Sequence, residues 1–410
     1  MFPFPFLFDI LTKKETQIMN ILFLDSPSFG NLDMIAAFEK NNINVSLFSH
    51  EKILDYLCKE FDDYFDNLVS SGNYSAVFSF NYYPSLSSGC MRNNIKYLAF
   101  VYDSPLVRLY SYTLINPCNY VFLFDKVAYL DFANAGIQTV YYLPLCANTS
   151  RLSSITTSSK LKPIVSSDVS FVGSLYNEDH NFFDRMVDLD PYTRGYLDAL
   201  MRAQKKISGY SFIEELLTPE ILSAMKKALP LPAQPGGAES DSYLYAYYVV
   251  ARKLSSIERE EILSAVSSRY KTKLYTHNPT PHLPDIQNMG AVDYYDTMPH
   301  IFKHSKINLN ITLRSIRSGI PLRAFDIMGC EGFLLTNYQE DFLDFFVPNE
   351  DFVYYDGTED MLSKIDYYLS HNKERLEIAH NGFSKIQQYH TYENRVLEML
   401  TVADLKEALK

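Results

Sequence analysis

The sequence predicts an α/β protein built from two doubly wound domains that face each other across a cleft. Three observations carry this. Short apolar strands alternate with helical segments over residues 20–143 and again over residues 169–389, the pattern of parallel sheets covered on both faces. A Ser/Thr-rich stretch, residues 148–167, separates the two runs and reads as a linker. The length, 410 residues, suits two domains of ordinary size.

In the N-terminal half, strands are expected at residues 20–24, 45–48, 76–80, 97–102, 120–124 and 140–143. Helices are expected at 32–40 and at 51–70, where Leu54, Leu57, Phe61, Phe65 and Leu68 recur at helical spacing. Ligands of such sheets bind beyond the carboxyl ends of the strands. The candidates there are residues 26–31, 81–83 and 103–105, with Asp125. Asp103, directly after an apolar strand and before Ser104-Pro105, is the best placed carboxylate to take a proton from a hydroxyl. A turn-forming role is the alternative for it, and His50 is the alternative base.

Beyond the linker, residues 169–172 form a strand that runs into Gly173-Ser174, where a ligand can approach the backbone closely. Residues 180–270 read as a helical insert, with helices near 196–206, 219–229 and 243–269 and a Pro/Gly-rich break at 230–242. Asp188 and Asp190 form a DxD, but within helix or loop, so metal binding is not expected there. The strand at 273–276 ends at His277, and a short strand is expected over 290–295. Helices follow at 298–304, 359–369, with Thr358 as N-cap, 373–389 and 392–409, and a strand at 352–355.

The stretch 305–336 concentrates the chemistry. It reads as strand, basic loop, helix, strand, with Arg314, Arg317 and Arg323 around Gly319 and Pro321, and Asp326 on the helix. Backbone N–H groups at a helix start attract anions, and guanidinium forks match phosphate oxygens. A phosphorylated ligand bearing sugar hydroxyls suits this set.

Composition narrows the class. The net charge of -12 argues against a nucleic-acid backbone as partner. Five widely spaced cysteines without a CxxC indicate buried thiols in a reducing compartment, and a cytoplasmic location is expected. No apolar run is long enough to span a membrane. The apolar start, residues 1–19, is expected to pack on the body, with peripheral membrane contact as the alternative.

FVGSLY (171–176), KINLNITLRSIRSGIPLRAFDIMGCEGFLLTNYQED (306–341) and IAHNGFSKIQQYHTYENR (378–395), together with VYDSP (101–105), FDK (124–126) and YYLPL (141–145), resemble the CgeB-like glycosyltransferases of bacteria. The resemblance implies a GT-B fold. Its parts would be a Rossmann-like acceptor-side domain at 20–150, a linker at 151–167, a Rossmann-like donor-binding domain at 168–390, and a final helix at 391–410 returning to the first domain. It implies hexosyl transfer from a nucleotide-diphosphate sugar to a glycan or protein acceptor, with no cofactor and no metal. Asp326 takes the place of a ribose-binding carboxylate. Arg314, Arg317 and Arg323 would face the diphosphate or sugar, Gly173 and Ser174 the phosphates, and Tyr294 and Tyr295 the base, with His277 nearby. Asp103 would act as base if configuration inverts and would only orient the acceptor if it is retained. Members usually have glycine where this chain has Glu331. A non-catalytic GT-B partner subunit and a nucleotide-sugar epimerase are the alternatives.

Overall fold

The structure, a computed structural model, describes residues 19–178 and 181–405; the segment 1–18 expected to pack on the body lies outside them. The N-terminal sheet contains β1 (Asn20–Leu24), β2 (Asn44–Phe48), β3 (Ala76–Phe80), β4 (Lys96–Val101), β5 (Asn119–Leu123) and β6 (Val140–Tyr142), in the order β2-β1-β3-β4-β5-β6. The C-terminal sheet contains β7 (Ser167–Val172), β8 (Thr272–Tyr275), β9 (Gln287–Asn288), β10 (Ser305–Asn310), β11 (Leu334–Asn337) and β12 (Val353–Tyr355), in the order β12-β11-β10-β7-β8-β9. All pairings are parallel. The strand order reverses between β1 and β3 in one sheet and between β7 and β10 in the other, and a ligand crevice forms at such points.

Local chemistry redraws several expected elements. The helix expected over 51–70 is confined to Lys59–Ser71. Leu57 adopts a left-handed φ of 58° just before it, which ends any continuous helix, and leaves Leu54 and Leu57 on the surface. The strand expected over 290–295 is a loop. The edge strand is β9 instead, Gly290 turns away at φ 82°, and the Asp293 carboxylate accepts hydrogen bonds from the backbone N–H groups of Tyr295 and Asp296. Thr358 is not a cap, because its helix, Gly357–Ser370, already begins one residue earlier. Within the insert, a π-helical stretch, Leu244–Val250, leads into the long helix Ala251–Ser267.

The last helix, Tyr392–Val402, opens on a capping box between Thr391 and Asn394 and lies against the helix Asn31–Lys40 of the first domain. Arg395 is buried there, and its Nε donates to the Pro144 carbonyl at 2.6 Å. Lys40 and Glu393 pair at 2.6 Å across the same seam. One apolar core runs from Phe23 and Phe38, through Val396 and Met399, to Phe325 and Leu334. The linker stretch carries the helices Thr149–Ser154 and Lys162–Val165, and from the first of them Arg151 grips the buried Asp33 with Nε at 2.7 Å and Nη2 at 2.8 Å.

Glu331 follows the helix Leu322–Gly329 at a left-handed φ of 58° and pairs with His380 at the surface. The backbone thus keeps a glycine-like conformation with a Cβ present, which costs about 1 kcal/mol. Glu331→Gly is expected to raise thermal stability slightly, by a few degrees at most, and to leave nucleotide affinity unchanged. Circular-dichroism melting and calorimetry check this.

Candidate functional site

A cleft of about 510 Å³ opens where β7 and β10 end and faces the end of β4 across the domain boundary. Its floor is set by Gly173, which continues β7 at φ 152°. A Cβ at Gly173 would stand 2.9 Å from Arg323 Nη2, so only glycine lets this guanidinium lie against the backbone. Ser174 follows, its hydroxyl donating to Asn278 Oδ1 at 3.2 Å.

Two guanidinium groups meet at this point. Arg259, on the helix Ala251–Ser267, is buried and donates through Nη1 to the Ser174 carbonyl and through Nη2 to the Ile311 carbonyl at 2.6 Å. It thereby ties the ends of β7 and β10 together. Its Nε finds no partner. Arg323 lies at the start of the helix Leu322–Gly329, over the Phe171 ring at 5.7 Å, and makes neither hydrogen bond nor ion pair with any described residue. Enclosure by the cleft wall and the charge of Arg259 push its pKa down to about 10. That helix starts after Pro321 without a side-chain cap, so its first turn faces the cleft with a bare positive dipole end.

Asp326, one turn further on, is buried and accepts a hydrogen bond from the Tyr294 hydroxyl at 2.9 Å. Burial, aided by the negative charge of Asp33 across the domain boundary, pushes its carboxyl up to about 7. Phe29 of the first domain packs on Tyr294 with the rings tilted by 35° and their centroids 5.2 Å apart. Asp103 stands on the opposite wall, held by Asn81 through Nδ2 to Oδ2 at 2.8 Å. The surrounding walls raise its pKa while the Asn81 bond and the charge of Arg108 oppose the rise.

The cleft brings together Asp103, Gly173, Ser174, His277, Tyr294, Arg323 and Asp326, with His277 on the exposed rim. It leaves out the other three expected residues. Arg314 points away and forks onto Glu258 at 2.8 and 2.6 Å. Arg317 turns to the first domain, where its side chain pairs with Asp131 and its backbone N–H donates to Asp125 at 2.6 Å. Tyr295 accepts hydrogen bonds from the Gly30 and Leu32 N–H groups at 3.2 and 3.3 Å, and so serves the domain junction. His50 packs against Phe61 and Tyr64, apart from the cleft lining. Asp190 caps the helix Pro191–Gln204, which accounts for one carboxylate of the DxD. Among the described residues, no group of three or more His, Cys, Asp or Glu side chains is placed to hold a metal ion.

Motif spacing alone does not single out Arg259, Tyr275 or Asn310. Tyr275 Oη and Asn310 Oδ1 are buried, line the cleft and have no hydrogen-bond partner. For Arg259 a sequence signal exists: it sits four residues before Leu263 and seven before Val266, in the apolar stripe of its helix.

Comparison with solved structures fixes the architecture. The chain matches a complex of Anabaena Alr3699/HepE with UDP and glucose at TM-score 0.55 and 10% identity, over 94% of this chain and 100% of that one. It matches a glycosyltransferase from Rickettsia africae ESF-5 at TM-score 0.51 and 12% identity, over 96% and 99%. It matches a sucrose-phosphate synthase from Thermosynechococcus elongatus at TM-score 0.53 and 10% identity, over 96% and 100%. The fold is GT-B. Residues 252–401, from the long insert helix into the final helix, match the sequence family described as Glycosyl transferase-like. No curated protein sequence matches the chain.

The elevated carboxyl of Asp326 has a consequence for stability. Its pKa rises from 3.8 unfolded to about 7 folded, so the native state binds more protons between these values. Its contribution to stability is therefore full below about pH 4 and is lost as pH rises through about 7. Urea unfolding of Asp326→Asn is expected to show a flatter dependence on pH across that window than the parent chain.

Proposed function

We propose that this chain is a glycosyltransferase that moves a sugar, as a hexosyl group, from a nucleotide-diphosphate sugar to a glycan or protein acceptor, as in the CgeB-like group. The observation that carries the reading is the meeting of Arg259 and Arg323, neither paired with a carboxylate, beside a buried Asp326 at the strand-order reversal of a GT-B domain whose sequence matches glycosyl transferases. Two cations beside an uncapped helix start take the diphosphate. Asp326, its carboxylate oriented by Tyr294, takes the ribose hydroxyls. Gly173 and Ser174 form the backbone floor beneath the phosphates, and His277 stands at the rim. The Anabaena structure is a complex with UDP and glucose, which makes UDP the first ligand to test.

In the transfer, the acceptor oxygen bonds to the anomeric carbon as the bond to the diphosphate oxygen breaks. The electron pair leaves with the diphosphate, and Arg259 and Arg323 stabilise the charge that develops there. On this cation set we place the transfer among metal-independent reactions without a further cofactor. In an inverting reaction the acceptor proton passes to Asp103, whose raised pKa brings it nearer the working pH of a base. In a retaining one the acceptor proton passes to the departing diphosphate oxygen, and Asp103 holds the acceptor hydroxyl in place. The reading places the acceptor against residues 20–150 and the donor in residues 168–390, with a cytoplasmic location.

Calorimetry tests it. The parent chain is expected to bind UDP or GDP, and Arg323→Ala and Asp326→Ala each to weaken that binding by about ten- to a hundredfold with the fold intact. Gly173→Ala, which would push Arg323 aside, is expected to act in the same direction. Undiminished nucleotide binding by both the Arg323 and Asp326 variants overturns the assignment. Slow hydrolysis of a nucleotide sugar by the isolated chain separates an enzyme from a non-catalytic subunit.

A further inference from the structure

Arg323 is one of two half-buried arginines among the described residues that have neither a hydrogen bond nor an ion pair; the other is Arg108. The chain carries a net charge of -12, and its remaining enclosed arginines are held by carboxylates or by side-chain and backbone oxygens. Arg108 follows β4 on the short turn Val107–Tyr110, and its guanidinium lies over the Tyr83 ring at 4.3 Å. It is therefore fixed in position by an aromatic face, which leaves its donors free.

Those donors face a second cavity, of about 340 Å³, on the acceptor side of the molecule. Ile53, Leu54 and Pro84 supply an apolar wall from the first domain, and Pro235 closes the cavity from the insert. Asp55 also lines it, but stands 3.8 Å from Lys52 and forms no ion pair with Arg108. The helix Pro84–Arg92 starts at this wall without a side-chain cap. The insert loop that completes the cavity is docked. Tyr112 N–H donates to the Gly236 carbonyl at 3.2 Å, Ala238 N–H donates to the Tyr110 carbonyl at 2.5 Å, and Ser111 and Gly237 form an antiparallel bridge.

We propose that this cavity is an acceptor subsite and that the acceptor carries an anionic group, a carboxylate or a phosphate, seated on Arg108. The inference rests on the glycosyltransferase reading, since it takes Asp103 as the point of transfer. Arg108 follows Asp103 by five residues, on the turn that leaves the end of β4. The apolar wall takes the face of the sugar ring, and the docked insert loop makes the cavity a property of the assembled two-domain protein.

The test uses the full chain with glucose, glucuronate and glucose 6-phosphate as probes, followed by ligand-observed NMR in the presence of UDP. At least one anionic sugar is expected to bind about tenfold or more tightly than glucose. Glucuronate alone, or glucose 6-phosphate alone, identifies the anion. Arg108→Gln and Arg108→Ala are expected to erase the preference, and Arg108→Lys to keep part of it. Equal binding of glucose and both anions, no binding of either anion at about 10 mM, or a preference that survives both neutral substitutions overturns the proposal. UDP binding, measured on the same samples, reports separately: its absence in the parent chain removes the glycosyltransferase reading, whereas loss of the anion preference with UDP binding intact removes the acceptor proposal alone.

Discussion

The cleft depends on Arg259, a buried cation whose observed hydrogen bonds go to two carbonyls. Burying a guanidinium without a counter-charge is costly, and carbonyl dipoles offset only part of that cost. The helix Ala251–Ser267 supplies the rigid platform that makes it tolerable, and the two carbonyls belong to the ends of β7 and β10. The same contact that closes the strand-order reversal therefore leaves an uncompensated positive potential there. Arg323 adds to it, and its pKa is lowered first by its enclosure and then by the charge of Arg259 beside it. In a chain of net charge -12, such a spot stands out as a local reversal of sign.

Opposite this potential lies a negative one. Asp326 and Asp33 approach each other across the domain boundary; Arg151 neutralises Asp33, while Tyr294 holds Asp326. Phe29 and Tyr294 pack against each other across the same gap. The carboxylate assigned to the ribose is thus also part of the contact between domains, and its ionisation answers to groups on both sides.

Much of this was legible in the sequence, for identifiable reasons. A parallel sheet buried on both faces needs apolar runs, and those runs marked the strands of both sheets within a few residues; the shortest, β9, escaped because two residues carry no pattern. Asp326 and Arg323 were legible because a helix start fixes where the first two turns point. Arg314 and Arg317 were not, because a loop shows how much charge it carries but not where each side chain goes. Their partners, Glu258 and Asp131, lie 56 and 186 residues away along the chain. Arg259 is the reverse case: it sits inside an ordinary amphipathic helix, and only its place in the apolar stripe sets it apart. Leu57 and Gly290 redirect the chain by backbone conformation, to which hydrophobic spacing is blind.

The insert loop that bridges to Ser111 and the final helix that returns to Pro144 grip the first domain at two separate places. These add to the contacts at Asp33, Asp131 and Gly30, and one apolar core reaches from one sheet to the other. Its halves are not interchangeable modules. A C-terminal half grafted from another GT-B protein would arrive without the matching loop and without the residues that pack on Met399 and Val396, and would meet exposed apolar surface where this chain has a shared interior.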